Sequence, residues 1–330
     1  MDDPLGVLRT TAPILKTGVV VIDHTAITVA AGTIPPEDVA HTAKSKFFFD
    51  GWTLEEKISI ALIFNAINFS FWPDHGEPRW TVRDSSGGLL DGSFAAYFCL
   101  ENAVFLGWIN PLRFPDLCQL DQEQLALIFR GRENSKIPLL PQRLACLEEL
   151  GRGVPIQGSE GVQELLTTVG SAEGLVRHLI SQVPNFNDGA EMGYFGDGET
   201  VRFYKRAQFA ASMIHRILVE EGRKGFADIG ILTAFSDYRI PQVLREMGIL
   251  VYDEGLAKMV DSEEELPLNS IGEVCIRAAT IWGAEYLRQK LEKTLGQPIT
   301  ATQVDYVLWR KARELKDSMR PHHRTRTTAY

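Results

Sequence analysis

Cysteine is scarce in this 330-residue chain, and its four cysteines stand far apart. No two of them have the C-x-x-C spacing that is typical of zinc ribbons and dithiol oxidoreductases, which weighs against both classes. We therefore expect reduced thiols that pack as small apolar groups in a cytoplasmic protein. The cysteines are Cys99, Cys118, Cys146 and Cys275.

Positive charge is also in short supply. The chain has 34 Lys and Arg residues against 43 Asp and Glu residues, so its net charge is −9. Binding to a nucleic-acid polymer needs clustered positive charge that displaces counterions from the phosphate backbone, and this composition weighs against it. A free nucleotide remains compatible with the charge, because a single phosphate needs only a few local donors.

Long apolar runs are absent as well. The longest apolar stretch, residues 58–67, contains Asn65 and is too short to span a bilayer. The first six residues, Met-Asp-Asp-Pro-Leu-Gly, are acidic and lack the apolar segment of a signal peptide. These features predict a cytoplasmic protein without a membrane partner.

Several sequence motifs that indicate a particular catalytic or binding site are missing. The chain has no G-x-x-x-x-G-K-[ST] loop, no G-x-S-x-G elbow and no H-E-x-x-H pair, and its seven histidines have no other ligand spacing. Residues 193–198, GYFGDG, fit neither a phosphate-binding nor a dinucleotide-binding loop. We therefore predict no metal and no cofactor.

The periodicity of apolar residues predicts a mainly α fold. Thr53 and Glu56 form a capping box before an amphipathic run, and Thr300 and Gln303 form another. About ten helical segments outnumber two or three weak strands, without a βαβ alternation. We predict one domain over residues 1–330, with a weak internal boundary near 151–161 and a helix-poor segment over 1–20. Residues 19–31 fit either a strand or a buried helix.

The most informative stretch is 228–242, DIGILTAFSDYRIPQ, in which an apolar run is flanked by two acids. A charge beside buried apolar residues costs free energy, so its presence there indicates a functional role. Asp237 stands before a predicted helix and next to Phe235, Tyr238 and Arg239, where an ionised carboxylate could stabilise a cation or orient a water. The alternative for Asp237, and for Asp228 at the other end, is an ordinary helix cap.

Basic residues open the preceding helix. Arg202, Lys205 and Arg206 stand near its start, where a cation and free helix N–H groups could hold a phosphate. The alternative is a solvated basic turn.

The last helix offers a surface for a flat heterocycle. Asp305 and Trp309 share one face and Tyr306 and Arg310 the next, so a ring could stack on the indole while the carboxylate takes its N–H groups. The alternative is Trp309 as a core anchor. A dense aromatic group at 47–52 and 69–72, which includes Asp50, is either core or the wall of a ligand pocket.

Several of these segments resemble the queuosine salvage protein family, in order and in spacing over nearly the whole chain. They are INFSFW at 67–72, RFYKRAQ at 202–208, FADIGILTAFSDYRIPQVLREMGIL at 226–250, DYVLW at 305–309 and HHRTRTTAY at 322–330. The resemblance implies a mostly helical fold similar to that of DNA glycosylases. It also implies hydrolysis of the N-glycosidic bond of queuosine 5′-monophosphate, which releases queuine for tRNA modification.

With this resemblance in view, we assign candidate roles to the residues above. Asp237 is our first candidate for the catalytic carboxylate and Asp228 the second. The candidates for binding the base are Phe235, Asp305, Trp309 and Asp50, and the further candidates for binding the substrate are Tyr238, Arg239, Tyr306 and Arg310. The candidates for binding the 5′-phosphate are Lys205, Arg206, Arg202, His323 and Arg324.

Two other classes of function compete with this interpretation. A non-catalytic nucleotide-binding or base-binding protein would use the same aromatic and acidic residues without hydrolysis. A DNA or RNA glycosylase is disfavoured by the net charge of −9.

Overall fold

Helices dominate the chain, as the amphipathic patterns predict. The structure is a computed structural model, and it describes residues 2–40, 51–191, 199–316 and 318–330. Asp50 and the 193–198 segment lie outside the described residues. The mainly α class and the single compact domain are confirmed. The likeness to DNA glycosylases stays a prediction.

Fourteen α-helices lie in the described ranges. They are α1 (Val7–Thr11), α2 (His24–Thr33), α3 (Pro36–Ala40), α4 (Leu54–Ile67), α5 (Gly92–Phe105), α6 (Gln122–Ile128), α7 (Leu140–Gly153), α8 (Gly158–Val169), α9 (Ala172–Gln182), α10 (Lys205–Glu220), α11 (Arg239–Glu246), α12 (Glu254–Asp261), α13 (Ile271–Leu295) and α14 (Ala301–Leu315).

The strands are short and form antiparallel pairs. They are β1 (Val20–Ile22), β2 (Thr81–Arg83), β3 (Leu89–Asp91), β4 (Gly189–Ala190), β5 (Val201–Arg202) and β6 (Leu250–Tyr252), and β1 pairs with β6, β2 with β3 and β4 with β5.

Local signals place most helix ends. Both capping boxes are present, with Thr53 and Thr300 accepting from the peptide N–H groups of Glu56 and Gln303. The ambiguous 19–31 run contains both elements, because Asp23 caps α2 directly after β1. The 1–20 prediction is wrong: these residues form α1 and a 3-10 turn over Ala12–Thr17. Pro13 is the second residue of that turn, where its missing N–H is not needed.

The core is continuous across the predicted boundary near 151–161. This segment spans the end of α7 and the start of α8. Leu147 and Leu150 before it and Val162 and Leu165 after it belong to one hydrophobic cluster. The boundary stays a prediction.

The packing of the helices leaves a space between two groups. In one group α10 packs against α4 and α9, and in the other α11 packs against α14. The long helix α13 contacts both α11 and α14 and is buried along most of its length. No helix in the described part of the chain has both the length and the apolar character that a membrane crossing needs.

Two buried arginines fix the exit of α4. The last carbonyls of a helix have no partner within the helix and need donors from elsewhere. Arg206 donates to Ala66 O at 2.5 Å, and Arg143 donates to the carbonyls of Ile67 and, at 2.7 Å, of Phe69. The guanidinium groups therefore hold the chain that follows α4, which forms one wall of the space between the two helix groups.

The buried acid Glu101 on α5 generates a prediction of pH-dependent stability. Burial raises the pKa of Glu101 to about 8, so the folded state holds a proton that the unfolded state has already released. A raised acid pKa stabilises the fold only at low pH, and that stability is lost as the pH rises from about 4.5 to about 8. The difference in stability between Glu101→Gln and the wild type should therefore grow in favour of the variant across this window. Above it, the difference should stay constant.

Urea unfolding midpoints measured from pH 5 to pH 9 check this expectation. Glu123→Gln, at an exposed position of α6, is the matched control. A constant difference between Glu101→Gln and the wild type at every pH would contradict the prediction.

Candidate active site

A cavity of about 700 Å³ lies between the two helix groups. One face of α10 lines it along the whole helix, from Lys205 to Glu220, which is roughly 22 Å at 1.5 Å per residue. The remaining walls come from the exit of α4, the start of α5, the 235–240 corner, α14 and the final segment of the chain. This size falls within the range of small-molecule sites.

Asp237 stands at the corner that leads into α11. Its Oδ1 accepts hydrogen bonds from the peptide N–H groups of Arg239 at 2.7 Å and Ile240 at 3.0 Å. Among the described residues nothing hydrogen-bonds to Oδ2, and Asp237 lines the cavity. The residue is thus both a helix cap and a carboxylate with an oxygen available to a ligand.

Lys205 opens α10 and is buried at the inner part of the same cavity. Its Nζ lies 3.4 Å from Asn68 O and 5.5 Å from the centre of the Phe209 ring. Burial lowers the pKa of Lys205, and the negative charges of Asp237 and Asp305 oppose the shift. The lysine and the two carboxylates therefore form one electrostatic cluster.

Asp305 is the second carboxylate of this cluster. It is buried, and its Oδ1 accepts from the peptide N–H of Phe235 at 2.8 Å. Burial raises the pKa of Asp305 well above its usual value, and the charge of Asp237 adds to the rise. The shift favours the protonated acid, a form that can donate a hydrogen bond.

Aromatic rings surround the charged cluster. The Phe209 and Phe235 rings lie 5.0 Å apart at 52°, and the Tyr306 and Trp309 rings lie 6.0 Å apart at 25°. All four line the cavity, with Tyr238 beyond them. Flat apolar surfaces beside hydrogen-bonding acids suit a planar heterocycle.

A buried ion pair supports the cluster from behind. Arg277 is 1% exposed, and its guanidinium binds both carboxylate oxygens of Asp188, at 2.9 and 2.5 Å. Asp188 accepts from the peptide N–H of Lys205 at 3.3 Å, while Arg277 Nε donates to Ser236 O at 3.3 Å. One pair thus holds the start of α10 and the residue before Asp237.

Asp228 lies outside the cavity lining. Its two oxygens accept from the peptide N–H groups of Ala172 at 2.8 Å and Glu173 at 2.9 Å, at the start of α9. Both oxygens are therefore engaged in holding that helix. Its catalytic role stays a prediction.

Several predicted phosphate ligands also face away from the cavity. Arg206 is buried under the α4 exit, and Arg202 lies 3.5 Å from Glu199. His323 is buried with its Nε2 3.2 Å from Tyr330 Oη, and Arg324 donates to Glu263 at 2.6 Å. None of these four lines the cavity.

Of the remaining predicted residues, some line the cavity and one does not. Tyr238, Arg239, Tyr306 and Trp309 line the cavity together with Phe235. Arg310 instead pairs with Asp38 at 2.9 Å. The roles of all these residues remain predictions.

Sequence reasoning missed several groups that line the cavity. Asn68, Phe209, His322, Arg313 and Tyr330 all face it. Asn68, His322 and Tyr330 stand within segments that carry the family resemblance, INFSFW and HHRTRTTAY, which is the signal that could have found them. Phe209 is the i+4 neighbour of Lys205 on α10 and could have been found from helical spacing.

A metal centre finds no support in the described ranges. No group of three or more His, Cys, Asp or Glu side chains among them is placed to hold an ion. The four cysteines are unpaired, and Cys99, Cys146 and Cys275 are buried.

The chain is similar to proteins of one kind. A sequence profile described as queuosine salvage protein matches residues 52–330. The chain is 36% identical to the queuosine 5′-phosphate N-glycosylase/hydrolase of Sphaerobacter thermophilus over 99% of this chain and 98% of that protein. The mouse protein of that name is 30% identical over 84% and 82% of the two chains, and that of Dictyostelium discoideum 27% over 82% and 77%.

The Arg277–Asp188 pair generates a prediction about stability. Removing one partner of a buried pair leaves an uncompensated charge, which costs about 3–5 kcal/mol. Arg277→Met should therefore lower the free energy of unfolding by about that amount, and adding Asp188→Asn should recover part of it.

Urea unfolding of the single and double variants measures these differences. Arg310→Met is the matched control, because its pair with Asp38 is about one-third exposed and should contribute about 1 kcal/mol or less. Equal losses for the two arginine variants would contradict the prediction.

Proposed function

The chain belongs to the queuosine salvage protein family, and from that premise we propose that it hydrolyses the N-glycosidic bond of queuosine 5′-phosphate. Water adds its hydroxyl to the anomeric carbon of ribose, its proton goes to the base, and queuine and ribose 5-phosphate leave. The observation that supports this most is Asp237, a carboxylate with an open oxygen inside an aromatic cavity.

Asp237 has the chemistry that this bond cleavage needs. Breaking a nucleoside C–N bond passes through a sugar with oxocarbenium character, and a fixed carboxylate lowers the energy of that positive charge. The two peptide N–H groups hold Oδ1, so the carboxylate is oriented before substrate arrives. Oδ2 is the atom that we assign to the anomeric carbon.

Asp305 supplies help to the leaving base. A 7-deazapurine lacks the N7 that other purine-cleaving enzymes protonate, so the proton must reach another ring atom. A protonated Asp305, held by the Phe235 peptide N–H, can donate to the pyrimidine edge of a base that lies against Phe235. Trp309 and Tyr306 supply further aromatic surface for that base.

Lys205 balances the charge of this arrangement. The buried ammonium offsets the negative charge of Asp237, while the proton on Asp305 prevents repulsion between the two acids. The reduced thiols and the family relationship lead us to propose a cytoplasmic role, in which released queuine is salvaged for tRNA modification.

A non-catalytic binding protein is the competing proposal. Incubating the purified protein with queuosine 5′-monophosphate separates the two, because only an N-glycosylase releases free queuine over time. A salt-dependent affinity for duplex DNA would instead favour a nucleic-acid glycosylase.

Replacing Asp237 tests the catalytic assignment. Asp237→Asn keeps an oxygen for the two N–H groups but removes the negative charge, so base release should fall by roughly 10³-fold or more while folding and substrate binding persist. Single-turnover rates and calorimetric affinity measure the two properties separately.

Asp228→Asn makes the same change at the rival carboxylate. It should lower the thermal stability through the weakened cap of α9 and retain most of the turnover. Wild-type turnover in Asp237→Asn, or a collapse of turnover in a folded Asp228→Asn, would reverse the order of the two candidates.

Asp305→Asn tests the acid role. Asn can still donate a hydrogen bond but cannot transfer a proton, so kcat/KM should fall roughly 10²- to 10⁴-fold. Because only the protonated acid can transfer a proton, the wild-type rate should decline as the pH rises through the raised pKa of Asp305, and the variant should lack that decline. Unchanged pH profiles of kcat/KM would show that Asp305 only orients the base.

A further inference from the structure

One end of the cavity has a basic rim, formed by Arg79, Arg239, Arg313 and Lys316. Arg79 and Lys316 share the carboxylate of Asp91, at 3.1 and 2.9 Å. The charges of Asp91 and Arg239 both act on Arg313, which places these side chains near one another. In a chain of net charge −9, four cations around one opening require an explanation.

Two cations of the basic rim are not neutralised. Among the residues that the structure describes, neither the Arg239 guanidinium nor the Arg313 guanidinium has a carboxylate oxygen within 4.0 Å. Arg239 Nη1 donates to the neutral amide of Gln242 at 3.0 Å, and Arg313 packs over Phe94 and Trp309 at 4.2 and 5.5 Å from their centres. The aromatic contacts hold Arg313 and leave its N–H groups for an anion.

The other cations of the cavity are poorer candidates for an anion. The charge of Lys205 is offset by the carboxylate of Asp237, whose negative charge would repel a phosphate dianion. Arg216 lies 3.8 Å from Glu220. Burial lowers the pKa of His322 well below its usual value, which leaves its ring neutral at physiological pH.

We propose that Arg239 and Arg313 bind the 5′-phosphate monoester of the substrate at the basic rim. Guanidinium groups offer paired N–H donors that match phosphate oxygens. The peptide N–H of Arg239 already holds Asp237, so the phosphate ligand and the catalytic carboxylate belong to one turn of chain. The base then lies inward among the aromatic rings. This inference rests on the proposed function.

The test compares queuosine 5′-monophosphate with the unphosphorylated nucleoside. Arg313→Gln should lower kcat/KM for the nucleotide by about tenfold or more, the effect of losing a charge-assisted hydrogen bond. The value for the nucleoside should change far less, so the preference for the nucleotide collapses. Arg313→Lys keeps the charge but lacks the paired N–H donors of the guanidinium, so its preference for the nucleotide should be intermediate.

Lys311→Gln is the matched control, because it removes one positive charge from α14 at a position that does not line the cavity. It should keep the wild-type preference, which excludes a general effect of net charge. Arg313 is exposed, so thermal unfolding should show both variants folded. A wild-type ratio of the two kcat/KM values in Arg313→Gln would overturn the proposal.

Calorimetric binding of ribose 5-phosphate gives a readout that does not depend on turnover. Binding to the wild type that is weakened about tenfold or more in Arg313→Gln supports the phosphate site, even if neither nucleoside nor nucleotide is hydrolysed. In that case only the proposed function fails. Equal affinities of the two proteins for ribose 5-phosphate would overturn the phosphate site alone.

Discussion

The buried pair of Arg277 and Asp188 is the constraint on which the site depends. The guanidinium lies 3.8 Å from the centre of the Phe203 ring and 4.4 Å from that of Tyr330, so the charge packs against two aromatic rings. Asp188 O also accepts from the peptide N–H groups of Phe203 and Tyr204. Tyr204 adopts a left-handed φ of 52°, a strained conformation that these contacts maintain at the start of α10. Three segments distant in sequence thus meet at one ion pair.

That support explains how charges persist inside an aromatic cavity. A buried carboxylate or ammonium is unfavourable unless fixed dipoles or opposite charges replace the lost water. Asp237 has two peptide N–H groups, Asp305 has the Phe235 N–H, and Lys205 has the Asn68 carbonyl. Each group is held by backbone atoms whose positions other elements determine. The site is therefore oriented before a ligand enters, which is what electrostatic stabilisation of a transition state requires.

Local chemistry accounts for what the sequence could predict. Capping boxes, the break between α8 and α9 at Gly170 and the amphipathic face of α10 depend on residues a few positions apart. The partners of Arg206 and Arg143 stand more than 70 positions away, at the exit of α4. No local pattern distinguishes such an arginine from a phosphate ligand, because both need the same residue at a helix start. Burial decides between them, and burial is a property of the whole fold.

The two acids of the 228–242 stretch show the same limit of prediction from sequence. Asp237 caps α11, the helix that follows it, whereas Asp228 caps α9, which begins more than 50 positions earlier in the chain. They differ in how many oxygens the cap engages. Asp228 uses both oxygens on two N–H groups of α9, whereas Asp237 serves two N–H groups through Oδ1 alone. Capping and catalysis are therefore compatible in one carboxylate when a single oxygen does the capping and the other faces the cavity.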